Sequence, residues 1–261
     1  MFFIMILAGL AACCLGLVKF RWFTSLSMAA GATAVGMLEF ILFDSFTFST
    51  IFATLLLMAH GAIIIVYVLY RESKDTIYVR KMRDEFEDGG RLETWEKGVF
   101  VGVGGLLIAY QTAPITFRLM NNDEGDIFVI IGMVIMLIGI LVETLADITK
   151  MSSKKRNSGR FVSSGIYKLV RCPNYLGEMI FWLGVFVTGV SSLCTFLQWL
   201  VSLIGLFGTF YIMLSRAKRL EAKQDKAYGS DEEYKTYSQS TPIIVPFAPI
   251  YSLENMNWLK G

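Results

Sequence analysis

The sequence has very little histidine and few cysteines, and both shortages limit its chemistry. His60 is the single histidine among 261 residues, so a multi-histidine metal site is excluded. Cys13 and Cys14 lie inside one apolar run, while Cys172 and Cys194 are far apart. No pair has metal-ligand spacing, and the four do not form a disulfide framework. We therefore expect no metal centre.

The start of the chain lacks the basic residues that open a secretory signal peptide. It begins Met-Phe-Phe-Ile, and its first basic residue, Lys19, follows an apolar run. A signal peptide carries its positive charges before the apolar region. We expect this segment to be a membrane anchor that begins on the outer side.

Long stretches of the chain also lack charge, and 54% of its residues are hydrophobic. An apolar stretch of about 18 residues or more can cross the hydrocarbon core of a bilayer as a helix. The fold class predicted is all-α, an integral membrane protein with seven transmembrane helices. The seven apolar segments are residues 2–18, 24–43, 47–70, 98–117, 127–145, 174–192 and 196–215.

Lysine and arginine are distributed unevenly among the polar regions. With seven spans and the N-terminus outside, the cytoplasmic regions 19–23, 71–97, 146–173 and 216–261 hold every Lys and Arg except Arg118. Cytoplasmic loops of membrane proteins are enriched in these residues. The pattern predicts a cytoplasmic C-terminus, in a multi-pass protein of a bacterial inner membrane or an ER-type membrane. A six- or eight-helix count would place a basic region on the wrong side.

The polar regions suggest a division within one integrated domain. Residues 1–97 would form a three-helix membrane region with a cytoplasmic loop. Residues 98–261 would form a four-helix membrane region with cofactor-binding loops and a cytoplasmic tail. The loop 71–97 mixes both signs of charge and is predicted to be a helical hairpin broken at Gly89-Gly90.

The fourth predicted span contains small and polar residues. Gly102 to Gly105 are typical of close helix packing in a membrane. Gln111, Thr112 and Pro114 follow, and we expect them to satisfy a proline kink or to line a cavity.

Four ionisable residues lie within the predicted spans: Glu39, His60, Glu143 and Glu178. A charge in hydrocarbon is costly, so each is a functional candidate. Simpler roles stay open for two of them. His60 could be a hydrogen-bonded packing residue beside Gly61, and Glu39 could bond a neighbouring helix near the outer surface.

Acidic and amide side chains concentrate near the predicted cytoplasmic ends of the fifth and sixth spans. Glu143 and Asp147 are four residues apart and share a helical face, as do Asn174 and Glu178. Such groups can hydrogen-bond ribose hydroxyls or a nicotinamide amide. A solvated pair at a helix end is the simpler alternative for Glu143 with Asp147.

Basic side chains accompany these groups. The sixth span opens at Pro173, a residue suited to a first helical turn, where free N–H groups attract a diphosphate. Lys154, Arg160 and Arg171 can neutralise further phosphate charge. The arrangement suits a dinucleotide, although basic residues between spans are often only topology signals and lipid contacts.

Residues 143–247 resemble the C-terminal domain of the steroid 5-alpha-reductase-like family, including its bacterial branch. The N-terminal third resembles that family only loosely. The matching positions are Glu143-x-x-Ala146-Asp147, Lys154, Gly159-Arg160, Gly165-x-Tyr167, Arg171-x-Pro173-Asn174-Tyr175-x-Gly177-Glu178, Trp182-x-Gly184, Tyr228-Gly229, Tyr234, Tyr237, Thr241-Pro242 and Pro246-Phe247.

The resemblance implies an NADPH site that opens to the cytosol. The cofactor-binding residues that it implies are Arg71, Glu143, Asp147, Lys154, Arg160, Tyr167, Arg171, Asn174, Tyr175 and Glu178. Many bacterial relatives carry histidine where this chain has Cys172. The histidine and tyrosine that some eukaryotic members carry after the last span are absent from residues 216–221.

In the steroid reductases a membrane-embedded glutamate and tyrosine engage the enone carbonyl of the substrate. Glu39 and His60 fall near those places in the chain. The catalytic candidates are therefore a protonated Glu39, kept neutral by burial, and His60. Either would act as an acid beside the carbonyl oxygen while hydride reaches the β-carbon.

The function expected is reduction, with NADPH, of a conjugated carbon–carbon double bond in a steroid- or isoprenoid-like substrate. That lipophilic substrate would enter laterally from the lipid membrane, and we expect no nucleic-acid partner. One alternative is a methyltransferase similar to the isoprenylcysteine carboxyl methyltransferases, which use S-adenosylmethionine and share an Arg-x-Pro-x-Tyr helix start. Another is a non-enzymatic lipid-binding or scaffold protein.

Overall fold

A computed structural model describes residues 1–19, 25–74, 93–121 and 125–260, and regular structure in these ranges is entirely helical. All seven apolar segments identified in the sequence contain helix. The helices are α1 (Phe2–Cys13), α2 (Leu15–Val18), α3 (Leu26–Leu42), α4 (Phe48–Lys74), α5 (Thr94–Met120), α6 (Ile127–Arg156), α7 (Pro173–Gly189), α8 (Phe196–Tyr228) and α9 (Glu232–Ser240), with a 3₁₀ turn at Gly165–Lys168.

Four helices, α4, α5, α6 and α8, are long and apolar enough to cross a membrane. They indicate a multi-pass integral membrane protein. The apolar helices at Phe2–Val18 and Leu26–Leu42 are shorter, and α7 has 17 residues. The seven crossings and the orientation of the chain stay predictions.

Four helices, α4, α5, α6 and α8, extend further than the apolar segments on which they were predicted. Glu96 accepts a hydrogen bond from the backbone N–H of Glu93 at 2.8 Å, and α5 begins directly after Glu93. α6 continues to Arg156 and α8 to Tyr228. Charged residues expected in polar regions therefore lie on helices. The proposed hairpin break at Gly89-Gly90 lies outside the described residues.

The chain divides into two compact units. The first unit comprises Met1–Met133 with Val185–Leu206, and the second comprises Val134–Gly184 with Phe207–Gly261.

Glycines allow close helix crossings in the first unit. A Cβ built on Gly9 of α1 would lie 2.3 Å from the carbonyl oxygen of Gly105 in α5. The expectation for residues 102–105 holds only in part, because a Cβ on Gly102 would meet nothing within 4 Å. Only the residues on the packed face of α5 therefore allow the close approach.

The proline in α5 has a matching glycine on α8. Pro114 has no N–H, so the carbonyl of Tyr110 receives no hydrogen bond from it. Gly205 lies against this carbonyl, and its Cβ would be 2.4 Å from the oxygen. Because Gly205 has no side chain, the backbone of α8 can approach the Tyr110 carbonyl, which Pro114 cannot hydrogen-bond.

Arg118, near the end of α5, is almost completely buried. Its Nε donates to the carbonyl of Thr188 at 2.7 Å, and its Nη2 bonds Ser191 and the carboxylate of Asp126. Burial opposes ionisation of Asp126. Hydrogen bonds from Ser191 and the Val129 N–H, with the charge of Arg118, nevertheless hold the pKa of Asp126 below its ordinary value.

In the second unit, α6 and α7 cross at two glycines. A Cβ on Gly139 would lie 2.5 Å from the backbone nitrogen of Phe181, and one on Gly177 would lie 2.6 Å from that of Glu143. The residues after α9 fold back to the start of α7, where Cys172 donates its N–H to Ile243. An apolar cluster forms there from Cys172, Ala217, Ile243, Ile244, Leu253 and Leu259.

Candidate functional site

The first turns of α7 carry three predicted site residues, and they meet a cation from α8. Asn174, Tyr175 and Glu178 are all partly buried. The guanidinium of Arg216 lies 3.9 Å from the carboxylate of Glu178 and 5.9 Å from the ring centroid of Tyr175. Arg216 therefore lies beside the face that Asn174 and Glu178 were predicted to share.

Glu143 of α6 interacts with the same guanidinium, and Asp147 of α6 interacts with its neighbours. The crossing at Gly177 brings the backbone of Glu143 against α7. Both Asp147 and Arg216 act electrostatically on Glu143, and Asp147 also acts on Tyr175. We call these five residues, Glu143, Asp147, Tyr175, Glu178 and Arg216, the acidic cluster. The carboxylates suit a ligand that offers hydroxyl or amide donors, and the guanidinium suits an anionic group of the same ligand.

Lys154 and Arg160 stabilise the loop that follows α6. The ammonium of Lys154 donates to the carbonyl of Arg160 at 2.6 Å and to the hydroxyl of Tyr228 at 3.3 Å. The guanidinium of Arg160 pairs with Glu233 of α9, and both side chains remain at least half exposed. Arg160 is accessible to a ligand, whereas Lys154 already bonds backbone oxygen.

Arg171 lies in a different environment, just before α7. Its side chain is 2% exposed and pairs with Glu221 of α8 at 3.0 Å. The same nitrogen also bonds the carbonyl of Tyr251. Glu221 in turn accepts the N–H of Leu253 at 2.8 Å. This buried pair fixes the end of the chain to α7 and α8.

Tyr167 is buried in the 3₁₀ turn, and its carbonyl accepts the hydroxyl of Tyr237 at 2.7 Å. Gly165, at the start of the turn, has a φ of 60°, a conformation that glycine adopts without strain. Burial first, and then the neighbouring Cys172, raise the pKa of the Tyr237 phenol, against an opposing effect of Arg171. The phenol therefore remains a donor at neutral pH.

Cys172 belongs to the apolar cluster at the start of α7. Burial raises the pKa of its thiol to about 12, although Arg171 and Lys150 oppose the shift. A buried, protonated thiol does not titrate at physiological pH. Position 172 acts as a packing residue in this chain.

The two predicted catalytic residues lie in the first unit. Glu39 of α3 is completely buried, with one carboxylate oxygen 2.7 Å from the hydroxyl of Thr116 and the other 3.3 Å from that of Thr54. His60 of α4 is also buried. Its neighbour Gly61 lets α4 approach α3, since a Cβ there would lie 2.5 Å from the carbonyl oxygen of Ala29.

Arg71, the remaining predicted cofactor residue, lies near the end of α4 in the first unit. Its guanidinium lies 5.1 Å from the ring centroid of Tyr67. The other nine predicted cofactor residues belong to the second unit. Among the described residues, no group of three or more His, Cys, Asp or Glu side chains is arranged to hold a metal ion.

Residues 15–241 match the family described as "Protein of unknown function (DUF1295)". The chain belongs to this family. It is also 33% identical over 102 residues to steroid 5-alpha-reductase DET2 of Arabidopsis thaliana, an alignment that covers 32% of this chain and 39% of the relative. The same enzyme of Gossypium hirsutum is 36% identical over 55 residues, or 20% of this chain and 21% of the relative.

The chain thus spans about two-fifths and one-fifth of the lengths of these two curated relatives. No solved structure matches it significantly. The similarity is distant and partial.

Sequence reasoning missed two residues of the second unit. Arg216 is the first charged residue after the last apolar segment, and this position was the available signal. Glu221 is the acidic residue five positions later. Its pairing with Arg171, 50 residues away, has no signature in a single sequence.

Proposed function

We propose that the protein is a membrane-embedded reductase that uses NADPH from the cytosol to saturate a carbon–carbon double bond conjugated to a carbonyl group. The observation that carries the proposal is the acidic cluster around Arg216, in a chain distantly similar to steroid 5-alpha-reductases. The substrate would be lipophilic, steroid- or isoprenoid-like, and would enter from the bilayer.

The hydrogen-bonding groups and charges of these residues match those of a nicotinamide dinucleotide. Carboxylates of the acidic cluster and the amide of Asn174 would bind ribose hydroxyls or the carboxamide. Arg216 would pair with a phosphate, as guanidinium groups commonly do. When bound, the cofactor would supply the hydride that is added to the β-carbon of the substrate.

The basic residues differ in how readily they could reach a phosphate. Half of the Arg160 side chain is exposed. Its guanidinium could therefore leave Glu233 and pair with a phosphate without leaving a buried charge unpaired. Arg171 would have to leave Glu221 in a buried site. We therefore assign phosphate binding first to Arg216 and Arg160, then to Lys154, which bonds the carbonyl of Arg160, and last to Arg171.

Glu39 is the proposed acid for the substrate carbonyl. The hydroxyl of Thr116 has one proton to donate. Its oxygen lies 2.7 Å from a carboxylate oxygen of Glu39 and 3.3 Å from the carbonyl oxygen of Thr112. When Thr116 donates to the carbonyl of Thr112, its oxygen can accept a hydrogen bond from a protonated Glu39. The surroundings therefore accommodate Glu39 in both protonation states. In the neutral state it would hold a proton for the carbonyl oxygen.

Ligand-dependent thermal stability of the detergent-purified protein tests the cofactor first. NADPH, NADH and S-adenosylmethionine are compared at equal concentration. A ligand at 100 times its dissociation constant stabilises the folded state by about 2.7 kcal/mol. We expect a shift with NADPH. A shift with S-adenosylmethionine alone would favour the methyltransferase, and no shift with any ligand would favour a non-enzymatic protein.

Asn174→Ala and Glu178→Gln test the residues of the site. Each removes a side-chain group proposed to bond the cofactor, so we expect weaker NADPH binding with little change in the melting temperature of the free protein. Glu232→Gln is the matched control, because this glutamate on α9 is 84% exposed and its pair with Lys235 is local to the helix. Wild-type NADPH affinity in both site variants would remove them from the proposal.

Glu39→Gln tests the proposed acid. Glutamine keeps the shape of the side chain but cannot transfer a proton, so turnover of an enone substrate should fall while NADPH affinity is retained. Single-turnover rates under saturating cofactor measure the effect. Thr54→Val is the companion variant: it removes the longer of the two hydrogen bonds to Glu39 and should lower turnover less. Full turnover by Glu39→Gln would exclude this residue from the chemistry.

A further inference from the structure

The C-terminal segment, residues 241–260, has an apolar side that is exposed in the part of the chain that the structure describes. Its inner side chains pack into the cluster around Cys172: Ile243, Ile244, Leu253 and Leu259. Its outer side chains are exposed: Val245, Phe247, Ile250, Tyr251 and Trp258. Apolar residues on both sides of a segment that follows the last membrane helix need an apolar environment on each side.

Phe247 is the clearest case. Its side chain is 92% exposed, and its backbone has a φ of 64°. This left-handed conformation is easy for glycine and costly for a bulky residue. Phe247 therefore bears a conformational cost while the described residues leave its ring exposed. An apolar environment supplied from outside the protein would offset that cost.

The segment lies against the membrane-facing surface of α8. Phe207 and Tyr211 of α8 are exposed and four residues apart, so they lie on one face of a helix apolar enough to cross a membrane. The ring of Trp258 lies 6.3 Å from that of Tyr211, centroid to centroid. Trp258, 60% exposed, thus extends the apolar surface of α8 at its polar end.

The next turns of α8 hold the same segment in place. The ammonium of Lys218 donates to the carbonyls of Met256 and Leu259 at 3.1 and 3.3 Å. The backbone N–H groups of Arg171 and Cys172, directly before α7, donate to Pro242 and Ile243. Both anchor points lie where a predicted span meets a polar region, which is the level of a membrane surface.

We propose that the C-terminal segment is a lipid-contacting element that lies in the head-group region of the bilayer, with Phe247 and Trp258 immersed in it. Aromatic side chains favour this region, because an amphipathic ring suits a layer that is partly apolar and partly wet. A lipid surface is the occupant favoured here, since the exposed rings continue the lipid-facing side of α8. The proposal does not depend on the proposed reduction.

Site-specific fluorescence in nanodiscs tests the immersion. The full-length chain, with its four cysteines replaced, receives Phe247→Cys or Trp258→Cys and an environment-sensitive fluorophore. Gln239→Cys is the matched control, because Gln239 is an exposed polar residue of the nearby helix α9. The discs contain phosphatidylcholine and phosphatidylglycerol, with or without a nitroxide on the head group, and iodide is the aqueous quencher.

We expect fluorophores at 247 and 258 to be quenched by the nitroxide lipid and protected from iodide, with the reverse at 239. Circular dichroism checks that each labelled chain keeps its helix content. Iodide quenching at 247 and 258 equal to that at 239 would overturn the proposal. Protection from both quenchers would also overturn it, because it would show that protein, not lipid, covers the rings.

Discussion

Two arginine–glutamate pairs of the second unit show how burial changes the contribution of an ion pair to the stability of the fold. Arg160 and Glu233 are half exposed, while Arg171 and Glu221 are almost completely buried. Water screens the first pair, and such surface pairs are worth about 0–1 kcal/mol. Removing one partner of a buried pair leaves a charge without compensation.

Glu221→Ala should therefore destabilise the protein by about 3–5 kcal/mol. The variant removes the carboxylate that pairs with the buried guanidinium of Arg171. It also removes the acceptor of the Leu253 N–H. Glu233→Ala is the matched control and should cost less than about 1 kcal/mol. Chemical unfolding in detergent, followed by circular dichroism, measures both. Equal losses in the two variants would contradict the distinction drawn from burial.

At this scale, the residues that share a helical face could be predicted from the sequence, but the pairings between helices could not. Glu143 with Asp147, and Asn174 with Glu178, follow from helical spacing, because each pair is local in sequence. Arg216 meets Glu178 through packing between helices that are separated along the chain. One sequence contains no information about that packing, so Arg216 was not assigned and the buried partner of Arg171 was not foreseen.

At the scale of helices, glycines determine which faces of the second unit approach most closely. Gly139 packs against backbone atoms of Phe181, and backbone cannot move aside as the end of a flexible side chain can. Gly102, by contrast, has open space where a side chain would start. The two glycines are alike in sequence terms, since both lie inside apolar helices.

Gly139→Ala should destabilise the protein by about 1–3 kcal/mol, because the added methyl group forces the helices apart. Gly102→Ala should be neutral or stabilising by up to about 1 kcal/mol, since alanine favours helix more than glycine does. Thermal unfolding of the two variants in one detergent measures the contrast. A loss at position 102 as large as that at 139 would contradict the crossing geometry.

The positions of the helices could be predicted from apolar runs, but not their full lengths. Hydropathy marks the part of a helix that can lie in lipid, whereas helix continues wherever backbone hydrogen bonds and caps allow it. The charged turns at the end of α6 and α8 therefore escaped prediction. Those turns hold Lys154 and Glu221, which makes the missed portions relevant to the site.

At the scale of the whole molecule, the orientation rests on the distribution of lysine and arginine. Every basic residue except Arg118 falls in the regions predicted to be cytoplasmic. Translocation of positive loops is disfavoured, so this asymmetry predicts the orientation of the chain in the membrane.

Reporter fusions in a bacterial host test the orientation. We expect a C-terminal green fluorescent protein to fluoresce, since it folds in the cytoplasm, and a C-terminal alkaline phosphatase to be inactive. A fusion truncated after residue 121, beyond the fourth predicted span, should show the reverse pattern. An active phosphatase on the full-length chain would reject the predicted orientation.

Burial of Arg118 has a consequence for proteolysis. Trypsin cleaves after lysine and arginine, and in the predicted orientation Arg118 is the one such residue on the outer side. Its guanidinium is 1% exposed and bonded to Thr188, Ser191 and Asp126. Sealed vesicles of native orientation should therefore protect the chain from trypsin, while inverted vesicles should expose its basic loops to cleavage.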